Sequence, residues 1–130
     1  MSGLASPIPR FHLAVPVDDL DAARRFYGET LGLDVTRENE MLLTLHLAGD
    51  RPVLLYTKPD HEPATFTVLN FPVADVDATV DELTERGVSF ERYEGTDLAT
   101  DERGIFRGEG PVIAWFKDPA GNVLSVLEAD

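Results

Sequence analysis

Few side chains in this sequence are equipped for chemistry. There are three histidines and no cysteine, so disulfides, thiolate metal sites and cysteine nucleophiles are excluded. His12 stands in the alternating stretch "FHLAVPV". There its imidazole can act as a hydrogen-bonded pocket group, a ligand contact or a general base. His46, in "LTLHLAG", has an undecided facing, and His61, in a proline-bearing joint, is expected in solvent. Arg107 lies between glycines in "GIFRGEG". Its guanidinium suits an anionic ligand, although Asp101 and Glu109 nearby make a surface ion pair the favoured reading. No serine sits in a nucleophile-elbow pattern and no glycine-rich phosphate loop follows a strand. Glu91 and Glu94 close a strand and are expected to face solvent.

Bulk properties narrow the function classes further. The 130 residues make one domain's worth of chain, enough for a real core. The net charge of -13 argues against a nucleic-acid partner, whose phosphates require a basic face. That charge is read first as a solubility device and second as a field for cationic ligands. There is no apolar run near the ~20 residues of a membrane span, and the opening "MSGLASPIPRF" is not expected to be a secretory leader. Together with the missing cysteine, this makes the cytoplasm the expected address.

The elements that must position these residues are written twice. "VPVDDLDAARRFYGETLGL", from Val15, returns as "FPVADVDATVDELTERGV", from Phe71, after 56 residues. Pro16 matches Pro72, Val17 Val73, Asp19 Asp75, Asp21 Asp77 and Ala22 Ala78, and Gly32 falls on Gly87 after a one-residue slip. Repetition at about half the chain length implies a duplicated unit. Each copy begins with an alternating strand (11–17, 66–73). An Asp-capped amphipathic helix follows, closed by a glycine. Three more strands complete each copy: 33–38, 41–48 and 52–58 in the first, 88–94, 111–118 and 122–128 in the second. The fold class is therefore α+β, with two tandem βαβββ modules (10–58 and 66–128) joined by 59–65 into a single domain. In "WFKDPAGNVLSVLE", Asp118-Pro119-Ala120-Gly121-Asn122 predicts a type I turn with a left-handed glycine. That loop pairs Asp118 with Asn122 and sets Trp115 opposite Ser125. The glycine- and acid-rich stretch 94–111 interrupts the second module as a long loop, suited to a flap.

These motifs, "VDDLDAARRFYGETLGL" with "AWFKDPAGNVLSVLE", resemble the vicinal oxygen chelate superfamily, which includes glyoxalase I, extradiol dioxygenases and bleomycin-resistance proteins. The resemblance runs from about residue 10 to 128. It implies two modules curled side by side around a cupped cavity with helices outside, and commonly a homodimer. In the superfamily's enzymes four side chains, one from the first and one from the last strand of each module, hold a divalent metal. His12 matches the first of these positions. The others fall on Val68, Leu55 and Ser125, so the resemblance implies a degenerate site, and neither a divalent metal nor another cofactor is expected.

If His12 faces inward, alternation sends Ala14, Leu55, Thr57, Val68, Asn70, Ile113, Trp115, Ser125 and Leu127 toward the same space. Such a mostly apolar lining with a few polar groups suits a small-molecule pocket. The candidate ligand-binding residues are thus His12, Thr57, Asn70, Arg107, Ile113, Trp115 and Ser125. The leading expectation is a small-molecule-binding protein of the metal-free, bleomycin-resistance kind, sequestering a drug or metabolite. The alternative is a metal-dependent lyase, isomerase or dioxygenase with rearranged ligands.

Overall fold

The computed structural model describes residues 13–48, 51–93, 100–108 and 110–128. In chain order the elements are β1 (Leu13–Val17), α1 (Leu20–Arg24) running into a π-helical turn (Arg25–Thr30), β2 (Asp34–Asn39), β3 (Leu42–Leu47), β4 (Arg51–Thr57), β5 (Thr67–Val73), α2 (Val76–Glu85), β6 (Ile105–Phe106), β7 (Ile113–Lys117) and β8 (Val123–Glu128). The aspartates before the helices do the expected work. Asp19 accepts from Ala22 N and Asp75 from Ala78 N, both at 3.1 Å, satisfying helix N–H groups that have no partner within the helix. Gly32 and Gly87, with φ of +76° and +97°, release the chain from each helix in the left-handed conformation.

The strands form two four-stranded sheets of identical order, β1-β4-β3-β2 and β5-β8-β7-β6. Within each, the first strand runs parallel to the last-formed one and the remaining neighbours are antiparallel. The duplication read in the sequence is therefore a duplication of topology.

One face of each sheet packs under the helices. In the first sheet this face carries Val15, Val17, Leu43, Leu45, Val53 and Leu55, all buried. In the second it carries Leu69, Ala114, Phe116, Leu124 and Val126, also buried. Leu20, Ala23 and Tyr27 from the first helical segment and Val76, Val80 and Leu83 from α2 close the same core. Burial of each such aliphatic side chain contributes about 1.5–3 kcal/mol, so the helices are held by their apolar stripes. The Phe26 and Phe116 rings meet at 6.2 Å and join the modules.

One expected strand is different. Of the expected strand 88–94, the described residues 88–93 contribute a single bridge, Phe90 to Phe116, and Glu91 N donates to Trp115 O at 2.8 Å. The rest of that edge of β7 is taken by β6, with Ile105 opposite Ala114 and Phe106 opposite Ile113. The long insertion splits the edge strand in two, one piece entering the excursion and one leaving it. Glu94 and Glu109 lie outside the described residues.

Candidate ligand-binding face

The expected hairpin register is the observed one. Asp118 N donates to Asn122 O at 3.0 Å, and Trp115 stands opposite Ser125. In the parallel pair beside them, Asn70 stands opposite Ser125. Asn70, Ser125 and Trp115 thus form one row across three strands, on the face turned away from α2. Strand alternation puts Pro72, Leu127, Ile113 and Phe106 in the next row of that face. Ser125 is fully buried, and its hydroxyl donates to Asn70 Oδ1 at 2.5 Å, while Asn70 itself is exposed.

Trp115 is flanked by two further rings. Tyr93 meets it edge-on with centroids 5.5 Å apart, and Phe106 lies at 6.3 Å. These partners come from the two ends of the insertion, Tyr93 entering it and Phe106 leaving it. Alternation within "IFR" was the available signal for Phe106, since a strand with Ile105 in the core must turn Phe106 the other way. Tyr93 N is held by Thr100 Oγ1 at 3.0 Å, a contact with no sequence signature. Burial of Tyr93 and the charge of Glu91 raise its phenol above the ordinary value, so it is a neutral aromatic group at physiological pH.

The first sheet corrects two facings. Val15 pairs with Leu55 and Val17 with Thr57, so Leu55 and Thr57 share the helix-covered face, where Leu55 is fully buried. The opposite face carries Ala14, Pro16, Leu54 and Tyr56. The position matching Ser125 is therefore Leu54, because Ala14 is the repeat partner of Asn70, 56 residues earlier, and Ala14 pairs with Leu54 as Asn70 pairs with Ser125. An equal-looking aliphatic run, "VLLY", conceals the one-residue phase that decides the facing. Val68 falls at an irregularity of register between Thr67 and Leu69 and packs against the core, which takes it out of strict alternation. His12 lies outside the described residues.

The other histidines are placed individually. His46 is exposed with Nε2 2.7 Å from Thr36 Oγ1. His61, expected in solvent, is half-buried instead, and its Nε2 is shielded and has no partner. Arg107 does not reach the Trp115 face. It pairs with Asp77 of α2 and lies 3.7 Å from Asp101 Oδ2, so the ion-pair reading describes its position, with Asp77 as the main partner.

Among the described residues, the positions matched to the superfamily's metal ligands do not fit a chelated divalent ion. Leu54 and Val68 offer no lone pair, and the Ser125 hydroxyl is already bonded to Asn70; carboxylate and imidazole ligands are what such an ion requires. Among the described residues, Asp75, Asp77 and Glu128 do bring carboxylate oxygens within 4.8 Å of one another. They sit at the N-terminus of α2 on the opposite side of the sheet. There Ala78 N donates to Asp75, Val76 N donates to Glu128 at 3.1 Å, and arginines pair with Asp77. This is a capping arrangement.

Comparison with known proteins agrees with this architecture. The family model for the Glyoxalase/Bleomycin resistance protein/Dioxygenase superfamily matches residues 11–126. The chain belongs to that superfamily. Among solved structures it is similar to TnmS3, an antibiotic binding protein from Streptomyces sp. CB03234, with a TM-score of 0.66 and 28% identity over 92% of this chain and 93% of that one. Oxidase ChaP-H2 aligns with a TM-score of 0.67 at 21% identity, covering 95% of each chain, a likeness of fold alone. The uncharacterized protein YraH of Bacillus subtilis (strain 168) is 27% identical over 126 residues, 86% of this chain and 91% of its own. No helix among the described residues is long and apolar enough to cross a membrane.

Proposed function

We propose that this chain binds a small, largely aromatic molecule on the open face of its second sheet and sequesters it without metal chemistry. The observation that carries this reading is the Trp115 row. A large indole stands between Tyr93 and Phe106, with the Ser125–Asn70 pair beside it and Leu127 and Ile113 in the next row. Aromatic walls with a few fixed polar groups are the usual composition of a ligand site. Ser125 donates to Asn70 Oδ1, which fixes the amide and turns its N–H donors to an acceptor on the ligand. The antibiotic-binding neighbour at 28% identity supports the binding of a small molecule.

The role is completed by a second copy of the chain. Phe66 and Met41 are 68% and 65% exposed, and Asn70 and Tyr56 lie open on the faces turned from the helices. A homodimer covering these groups would turn an open face into an enclosed one. An address in the cytoplasm accords with a chain that has no cysteine to oxidise.

The test uses the single tryptophan. Fluorescence titration with bleomycin and a panel of aromatic antibiotics, beside elemental analysis of untagged protein, separates the alternatives. Quenching of Trp115 that saturates near one ligand per chain supports sequestration. One equivalent of divalent metal that stabilises the protein would instead point to the metal-dependent lyase, isomerase or dioxygenase reading and overturn this one.

A further inference from the structure

The segment that leaves the insertion alternates between two surfaces. Ile105 is buried in the core, Phe106 turns to Trp115, and Arg107 turns back toward α2. Only two residues of this segment pair with β7. A two-residue edge strand is weak on its own, so its position depends on what else holds it.

Beyond the burial of Ile105, what holds it is a charge network centred on Asp77. Asp77 Oδ1 accepts from Arg103 Nη1 at 2.8 Å and also from Arg107 Nη2. Arg103 Nη2 reaches Asp77 O at 2.9 Å and Asp81 Oδ1 at 2.6 Å. Within the segment, Asp101 Oδ1 accepts from Arg103 N and Ile105 N, both at 2.9 Å. The two arginines draw the Asp77 carboxyl below its ordinary range. Phe106 carries a second, steric constraint. A side-chain carbon at residue 108 would come within 2.3 Å of the Phe106 ring, so the ring lies over the bare backbone of Gly108.

We propose that Arg107 and Asp77 are positioning residues for the ligand face: their ion pair, on the α2 side, latches the segment so that Phe106 on the other side stays against Trp115. The ligand role of that face rests on the function proposed above, whereas the latch itself is a property of the free protein. Exposed ion pairs are individually weak and screened by salt. A latch of this kind therefore opens partly and reversibly, which suits a wing that must admit a ligand.

The experiment reads acrylamide quenching of the single tryptophan in the ligand-free protein, across a potassium chloride series. Wild type should be protected at low salt and become more quenchable as salt rises. Arg107→Gln and Asp77→Asn should be quenchable already at low salt, with the open fraction raised up to roughly fivefold, the upper end for an exposed pair, and with little remaining salt dependence. Arg107→Lys should restore most of the protection. Gly108→Ala, which displaces the Phe106 ring with every charge intact, should raise quenching at all salts. Circular dichroism confirms that each variant is folded. If Arg107→Gln and Asp77→Asn both match wild type across the series while Gly108→Ala shifts the signal, the latch is refuted. If salt and variants behave as described but no aromatic antibiotic binds, the latch stands and the ligand reading fails.

Discussion

The Tyr27 hydroxyl donates to Asp118 Oδ2 at 2.7 Å across 91 residues of sequence, in the interior of the protein. Tyr27 belongs to the turn after α1, and Asp118 opens the β7–β8 hairpin, so the bond ties one module to the other. The same carboxylate accepts from Asn122 N at 2.8 Å and Asn122 Nδ2 at 3.0 Å, and that Nδ2 also reaches Pro16 O on β1 at 2.9 Å. A buried carboxylate is tolerated because each oxygen is satisfied. The "DPAGN" turn is thus a clasp between the repeats as well as a hairpin.

Tyr27→Phe removes one donor from this clasp and leaves Asp118 with two. We expect a loss of about 1.5–3 kcal/mol of stability, the range for a hydrogen bond to a charged group, read by urea denaturation. The pH response gives a second signature. Burial, followed by the Asp118 charge and hydrogen bond, raises the phenol well above its ordinary 10.0. A folded-state pKa above the unfolded one means the contribution is complete below pH 10 and is lost as pH climbs above it. Wild type should lose stability more steeply than Tyr27→Phe above about pH 10.

Asn122→Ala removes both side-chain bonds, to Asp118 and to Pro16 O, and leaves the half-buried Pro16 carbonyl of β1 without this donor. The cost should exceed that of Tyr27→Phe, at about 2–4.5 kcal/mol, because a second hydrogen bond is lost together with the one to the charged Asp118. Hydrogen exchange should show the loss at both β1 and β8, since the contact joins them. Protection lost at the hairpin alone would count against a clasp between modules.

Much of this fold could be read from the residues. Asp19, Asp75, Gly32 and Gly87 mark helix ends with local chemistry, and "DPAGN" sets its own loop length, so the Trp115–Ser125 pairing followed from counting. Reading failed where the information was not local. "VLLY" is apolar on both faces, and only pairing with β1 decides that Leu55 points to the core and Leu54 away from it. The edge beside β7 is shared by two segments that meet only in three dimensions. Tyr93 and Phe106 converge on Trp115 for that reason, and Asp77 finds Arg107 across 30 residues.

The facing of β4 has a direct consequence. Leu55→Ala opens a cavity in the core and should destabilise by about 2–5 kcal/mol, whereas Leu54→Ala, on the partly exposed face, should cost less than half as much. Thermal melts of the two single variants decide the matter. Equal losses would mean that alternation in β4 is not as described.

Trp115 tests the proposed ligand face itself. Its ring is half-buried between Tyr93 and Phe106, so Trp115→Ala should reduce stability by about 1–3 kcal/mol, below the loss for a fully buried aromatic. The same change removes the central stacking surface, and aromatic contacts in a protected site contribute about 0.5–1.5 kcal/mol beyond area burial. An antibiotic that raises the melting temperature of wild type should raise that of Trp115→Ala far less, and Trp115→Phe should fall between them. Thr57→Ala is the matched control, because its side chain shares the helix-covered face of the other sheet and should leave the ligand-induced shift unchanged. If the shift survived in Trp115→Ala and vanished in Thr57→Ala, the ligand would belong on a different surface, and the row of Asn70, Ser125 and Trp115 would be structural only.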